Sequence, residues 1–200
     1  MPIDLDRPVL EVARDLLGRH VAHRGTVVRL TEVEAYDGPG DPGSHARRGP
    51  TPRTLVMFGP SGHAYVYLSY GVHFMVNIVT GPAGHASAVL LRAGHEVTSA
   101  GGRGADLRGP AALARALAYT PTDTGEPVSV LEGTPVAEQA VSAGPRVGLG
   151  AGDDGRHWRL WLTGDTSVSS WRPGRTGKTA PNTGAGPPGP SGAPGPSARQ

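Results

Sequence analysis

Residues 63–80 read His-Ala-Tyr-Val-Tyr-Leu-Ser-Tyr-Gly-Val-His-Phe-Met-Val-Asn-Ile-Val-Thr. His63 to Ser69 and His73 to Thr80 are aromatic and β-branched runs, the composition of strands. Tyr70-Gly71-Val72 lies between them, and Gly71 supplies the positive φ of a tight connection. The stretch predicts a β-hairpin, and with it a sheet that contains antiparallel pairs.

Working outward, the same signals recur. His20 to His23, a turn at Arg24-Gly25, and Thr26 to Tyr36 predict a second hairpin. Ala88 to Ala93, Pro127 to Leu131 and His157 to Thr163 predict further strands. In the last of these, Trp158, Leu160 and Leu162 alternate with His157, Arg159 and Thr163, so the first set is expected to be buried. Val9, Val12, Ala13, Leu16 and Leu17 repeat with helical spacing, with Asp6 as a candidate cap, Pro8 in the first turn and Gly18 as a stop. Pro110 to Tyr119 predicts a second helix. Asp37 to Pro60 reads as a long loop, and Gly94 to Gly109 as a turn-rich, mobile one. Many strands and few helices, without βαβ alternation, predict an α+β fold around an antiparallel sheet.

The chain has 200 residues, 31 of them Gly and 20 Pro. Residues 172–200 carry 14 of these and no apolar side chain larger than Ala. That composition cannot bury enough surface to offset its ordering entropy, so a disordered tail is expected there, with one domain over 1–171. The absence of Cys excludes a disulfide framework, thiolate metal sites and thiol catalysis. No apolar run is long enough to span a membrane, and no secretory signal is visible, so a soluble cytoplasmic protein is expected. The sole lysine, Lys178, lies in the tail, which argues against a Schiff-base lysine and a phosphate-binding P-loop. The tail holds four basic groups and no acid. Residues 40–120 hold seven basic groups against three acidic, whereas 121–171 hold three against seven. A nucleic-acid partner would therefore meet a patch from the central third, helped by the tail.

Several residues invite chemistry. Glu34 ends a β-branched run and, on a period of two, shares a face with Val28, Leu30 and Glu32. A carboxylate there is either a general base facing a cleft or a plain edge-strand acid. His45, Arg47, Arg48 and Arg53 fall within nine residues and read as a phosphate clamp or as a solvated loop. Tyr65 and Tyr67 share a strand face, with Tyr70 at the turn. These are either sheet core or a surface on which a nucleobase stacks, Tyr70 being placed as a wedge. No histidine spacing marks a metal site.

These residues, in this order, resemble the alkyladenine (3-methyladenine) DNA glycosylase family. The resemblance is carried by Glu32 to Tyr36, Asp37-Gly38-Pro39, Ser44-His45-Ala46, Thr51-Pro52-Arg53, Met57-Phe58, Tyr65 to Phe74 and Asn77. It continues through Leu90 to Ala93, Gly109-Pro110, and Arg146-Val147-Gly148, so it covers roughly residues 8–171. It departs at Thr54, where Asn often stands, at Met75, where many members carry Cys, and in the short Gly94–Gly109 segment. These departures bear on the pocket rim and substrate range.

The resemblance implies a single compact domain around a curved antiparallel sheet, with a protruding hairpin that enters DNA. It implies base-excision repair, in which a damaged purine is flipped out and its N-glycosidic bond hydrolysed, leaving an abasic site. Glu34 matches the general base and Arg92 a residue near the flipped nucleotide. Tyr36, His45, Tyr67 and Asn77 match the base pocket, and Tyr70 the intercalating wedge. Arg47, Arg48, Arg53 and Arg146 are candidates for the DNA backbone. No cofactor and no metal are expected, the partner is duplex DNA, and a monomer is expected. With no body lysine, the expectation is a monofunctional enzyme without lyase activity. The alternatives are a non-catalytic nucleic-acid-binding domain on the same scaffold and a metal-dependent hydrolase using the histidines. A binding module has no use for a carboxylate inside an aromatic pocket.

Overall fold

The first helix, α1 (Val9–Leu16), buries Val9, Val12, Ala13 and Leu16 on one face. Its amino end is Pro8, with no side-chain cap. The Asp6 backbone N–H instead donates to Asp4, so Asp6 does not cap. The structure is a computed structural model and describes residues 2–98, 105–150 and 154–174. The expected tail therefore lies, beyond Gly174, outside the described residues.

Strands follow at β1 (His20–His23), β2 (Thr26–Tyr36), β3 (Ala64–Ser69), β4 (His73–Val79) and β5 (Ala88–Thr98), then α2 (Pro110–Ala116) and β6 (Ser129–Leu131), β7 (Val141–Gly144) and β8 (Arg159–Leu162). They form one eight-stranded sheet in the order β3-β4-β5-β2-β1-β6, with β7 and β8 branching from β2. Every ladder among these strands is antiparallel. The sheet curls because β2 changes partner along its length. Its first half pairs with β1 and its second half with β8, while β5 lies along its other edge. Both helices close the main core, the larger of two buried apolar clusters, which includes Leu16, Leu30, Ile78, Leu91, Leu113 and Leu117.

Two expectations about extent need correction. The strand at Ala88 runs to Thr98, well into the segment read as a mobile loop. Gly94 permits this, because a Cβ there would collide with the Arg29 carbonyl oxygen. Of the remainder of that segment, 99–104 lie outside the described residues. The loop from Asp37 to Pro60 contains two short 3-10 turns, Gly38–Gly40 and Leu55–Phe58.

The phase of β2 also differs from a simple period of two. The β2–β5 register skips Thr31 between Leu30 and Glu32, and skips Arg92 between Ala93 and Leu91. These are bulges, and a third irregularity skips Val97 between Thr98 and Glu96, so one lies on β2 and two on β5. The extra residue at Thr31 turns the strand over. Val28 and Leu30 therefore share the core with Val33 and Ala35, and Glu32 and Glu34 face away from it. Glu34 does not share a face with Val28 and Leu30.

Candidate active site

On the side of the sheet opposite the core lies a cavity of about 400 Å³, within the range of small-molecule sites. Glu34, Tyr36, His45, Tyr67, Asn77 and Arg92 all line it, together with Tyr70, Tyr65, Met57, Leu90 and Val147. Strand periodicity explains the gathering: Ala88, Leu90 and Arg92 point into the cavity from β5, while Val89 and Leu91 between them enter the core. From β3, Tyr65, Tyr67 and Ser69 face the cavity, and Ala64 and Val66 face the core.

Glu34 is fully buried. Its Oε1 accepts the Val147 backbone N–H at 2.7 Å, and its Oε2 accepts the Tyr36 hydroxyl at 2.8 Å. Arg92 Nη1 stands 3.4 Å from the same Oε2. Burial works against the Arg92 charge, but Glu34 and Glu32 outweigh it and raise the guanidinium further. Burial drives the Tyr36 phenol well above its usual range, with Glu34 and Tyr67 adding to it. Tyr36 is thus a neutral donor that orients the carboxylate.

A second carboxylate, Glu32, lies behind Arg92 and is also fully buried. Its Oε1 accepts from Arg92 Nε at 3.0 Å, Arg159 Nε at 2.6 Å and the Ser169 hydroxyl at 2.9 Å. Its Oε2 accepts the Ser169 backbone N–H at 2.7 Å. Burial alone would raise the Glu32 carboxyl, yet the two arginines and Ser169 hold it below its ordinary value. Strand alternation puts Arg159 on the solvent face, but it is 5% exposed because Glu32 needs it as a counter-ion.

The opposite wall is aromatic. His45 meets Tyr67 edge-on, with centroids 4.6 Å apart, and Tyr65 lies tilted beside Tyr67 at 5.6 Å. Arg53 Nε donates to the Tyr65 hydroxyl at 3.2 Å, and that hydroxyl lies 3.0 Å from His45 Nδ1. Desolvation, with Arg53 and Arg47, lowers the imidazole to about 4. A neutral His45 accepting from Tyr65 at Nδ1 carries its proton on Nε2. Burial pushes the Tyr67 phenol up to about 12. Asn77 is held by its Nδ2 donating to the Tyr65 carbonyl at 2.9 Å, so the pair Tyr65 and Asn77, opposite each other in register, forms one rigid wall.

Tyr70 is 88% exposed at the tip of the β3–β4 hairpin. Its φ is 50°, and that of Gly71 is 72°. The turn therefore holds two left-handed residues, one more than the glycine alone suggests. Val72 is also exposed beside it. Arg47 and Arg48 are exposed on the long loop, and Arg53 is exposed at the cavity mouth with its guanidinium 5.2 Å from the Tyr67 ring centroid.

Arg146 is a correction. Expected at the DNA backbone, its side chain is 1% exposed, and both terminal nitrogens bind Asp41, at 2.5 and 2.7 Å. A phosphate cannot reach it. Sequence reasoning also missed Asp41, Arg159, Ser169 and the Val147 N–H. Their partners lie 105, 127, 137 and 113 residues away, and no local pattern reports such pairs. Among the described residues no group of three His, Asp, Glu or Cys side chains stands close enough to share a metal ion. No helix among them is long and apolar enough to cross a membrane.

Comparison with known proteins adds a separate line of support. A family model described as methylpurine-DNA glycosylase matches residues 3–166. The chain is 51% identical over 195 residues to a protein of Frankia casuarinae, covering 85% of this chain and 92% of that one. It is 48% identical over 194 residues to one of Streptomyces avermitilis, covering 83% and 88%. It is 45% identical over 179 residues to one of Anaeromyxobacter dehalogenans, covering 84% of each. All three carry the name "Putative 3-methyladenine DNA glycosylase".

Proposed function

The chain belongs to the methylpurine-DNA glycosylase family, and from that premise we propose that it excises damaged purines from duplex DNA by hydrolysis with Glu34 as general base. The observation that carries the mechanism is the state of Glu34. A carboxylate offers about four acceptor positions; Val147 and Tyr36 each occupy one by hydrogen bond, and Arg92 faces a third as an ion pair at 3.4 Å. The position left over accepts a proton from a water held against the sugar.

In this reading Tyr70 enters the duplex as the target nucleotide leaves it, and the base stacks in the cavity among Tyr36, His45 and Tyr67. The C1′–N9 bond breaks with its electron pair passing to the purine. The water oxygen bonds to C1′, its proton passes to Glu34, and an abasic site and a free base result. A purine alkylated at N3 or N7 already carries positive charge, so it leaves readily, and the electron-rich rings favour it over a normal base. Hypoxanthine is neutral and depends more on the protein. Asn77, fixed by Tyr65, crowds the 2-amino group of guanine. The neutral His45 donates from Nε2. Arg47 and Arg48 meet phosphates, and Arg53 does so from the cavity mouth. A water nucleophile leaves no covalent imine, so the activity is monofunctional. One copy of the chain supplies every group of the site, which suits a monomer.

The test is single-turnover release of hypoxanthine and of 7-methylguanine from a duplex, for the wild type and Glu34→Gln, with EDTA present. Release by the wild type, reduced about 10²–10⁴-fold in the variant while DNA binding persists, is expected. Tight binding of lesion DNA by the wild type without release of either base would overturn the reading in favour of a binding module.

A further inference from the structure

Behind Tyr36 stands a stack of alternating rings and guanidiniums. The Arg146 guanidinium carbon lies 4.6 Å from the Tyr36 centroid and 5.6 Å from that of Trp158, and Arg156 lies 4.5 Å from Trp158. Tyr36 lines the cavity and Arg146 does not. The tyrosine ring thus separates a buried cation from the place where a base would stack. Two carboxylates balance the two cations. Asp41, fully buried, takes both terminal nitrogens of Arg146. Asp154 stands 3.9 Å from Arg146 and 2.7 Å from Arg156. The Asp41 oxygens also accept the backbone N–H groups of Asp37 and Gly43, which aims the carboxylate.

We propose that Asp41, acting through Arg146 and the Tyr36 ring, sets the balance between cationic and neutral damaged purines. The inference rests on the excision reading above. A base on the open face of Tyr36 would lie about 9–11 Å from Arg146, given ordinary stacking distances. Across protein rather than water, a full charge is felt at that range. An uncompensated guanidinium repels a cationic lesion and draws electron density out of the ring that should bind it. The same charge helps a neutral base to leave, because the C1′–N9 electron pair gives that base negative character. One charge therefore acts with opposite sign on the two classes. Paired bidentately with Asp41, it is reduced to a dipole, and the cavity can accept both.

The experiment compares release of 7-methylguanine and hypoxanthine from otherwise identical duplexes, at subsaturating enzyme under single-turnover conditions. Asp41→Asn should raise the hypoxanthine to 7-methylguanine rate ratio about tenfold, the scale of one unit charge at this distance. The double variant Asp41→Asn with Arg146→Met removes both charges and should return the ratio to within about threefold of wild type. Because Asp41→Asn leaves a buried charge unpaired and can fail to fold, Asp154→Asn provides a milder probe at the partly exposed end of the stack. It should move the ratio the same way by about twofold. A merely structural role would lower both rates together, and a ratio unmoved in the variants that fold overturns the proposal. A wild type that releases neither base overturns the excision reading itself, so the two failures are distinguishable.

Discussion

Replacing Glu32 by Gln is the sharpest test of the site's framework, because the side chain keeps its shape and loses only its charge. Arg92 and Arg159, each 5% exposed, would lose their shared counter-ion. The cheaper amide orientation keeps the oxygen at the Oε1 position, where three donors converge, and opposes only the Ser169 N–H. The remaining loss is that of a broken buried ion pair, about 3–5 kcal/mol. For a chain of this size each kcal/mol shifts the melting temperature by about 2–4 °C, so a fall of about 10 °C is expected. Acidification should tell the same story. The Glu32 carboxyl is lowered in the folded state, so its contribution is fully present above the ordinary carboxylate value. It is lost as pH falls through the lowered one. Thermal melts of wild type and variant between about pH 3 and 7 should therefore converge at the acid end. Arg92 would keep its Nε bond to the amide oxygen but lose the charge that anchors it beside Glu34, and single-turnover release should slow while DNA affinity holds. Equal melting temperatures at neutral pH would show that Glu32 is not the charge that holds this cluster or aims Arg92.

Three further outcomes follow from the site. Tyr70→Gly places a residue that tolerates φ of 50° at a position 88% exposed. Stability should hold or rise by up to about 1 kcal/mol in denaturant titration, while base release drops through weaker flipping. His45, at about 4 in the folded protein, is neutral across the physiological range. His45→Gln should leave the shape of the rate profile between about pH 5.5 and 8 unchanged. Because that value is lowered, the histidine's effect on stability is most favourable above the ordinary imidazole value and is lost as pH falls from there toward the folded value. Removing Arg47 or Arg48 should reduce the slope of log affinity against log salt by about 0.9 for each phosphate no longer neutralised, read by titration of the same duplex in increasing salt.

Much of the framework is legible because it is local. The hairpins at His20 to Tyr36 and His63 to Thr80 announce themselves by β-branched and aromatic runs around turns, and α1 by its apolar spacing. The pocket set from Tyr36 to Asn77 comes from the order of motifs and not from physics alone. What periodicity cannot show is the facing of Glu34. A bulge is created where β2 leaves β1 for β8, and that change of partner is a tertiary event. Arg159 looks like a surface residue because alternation has no knowledge of Glu32. Arg146 looks like a phosphate ligand for the same reason, its carboxylate lying 105 residues upstream. Gly94 looks like a stop, yet it is where β5 passes close enough to β2 to continue.

The bulge at Thr31 has a consequence for how this chain tolerates changes of length. Point substitutions in β2 weaken one interaction at a time. Deleting Thr31 would leave one residue between Leu30 and Val33, so plain alternation would keep Val33 and Ala35 in the core and both glutamates facing away from it. Flattening the bulge with every residue kept is what would turn the glutamates inward. The loop from Asp37 to Pro60 has no such arithmetic. Among relatives of this chain, changes of length should accumulate there, whereas around Thr31 the tolerated change should be loss of the bulged residue itself, which leaves Glu34 facing the cavity.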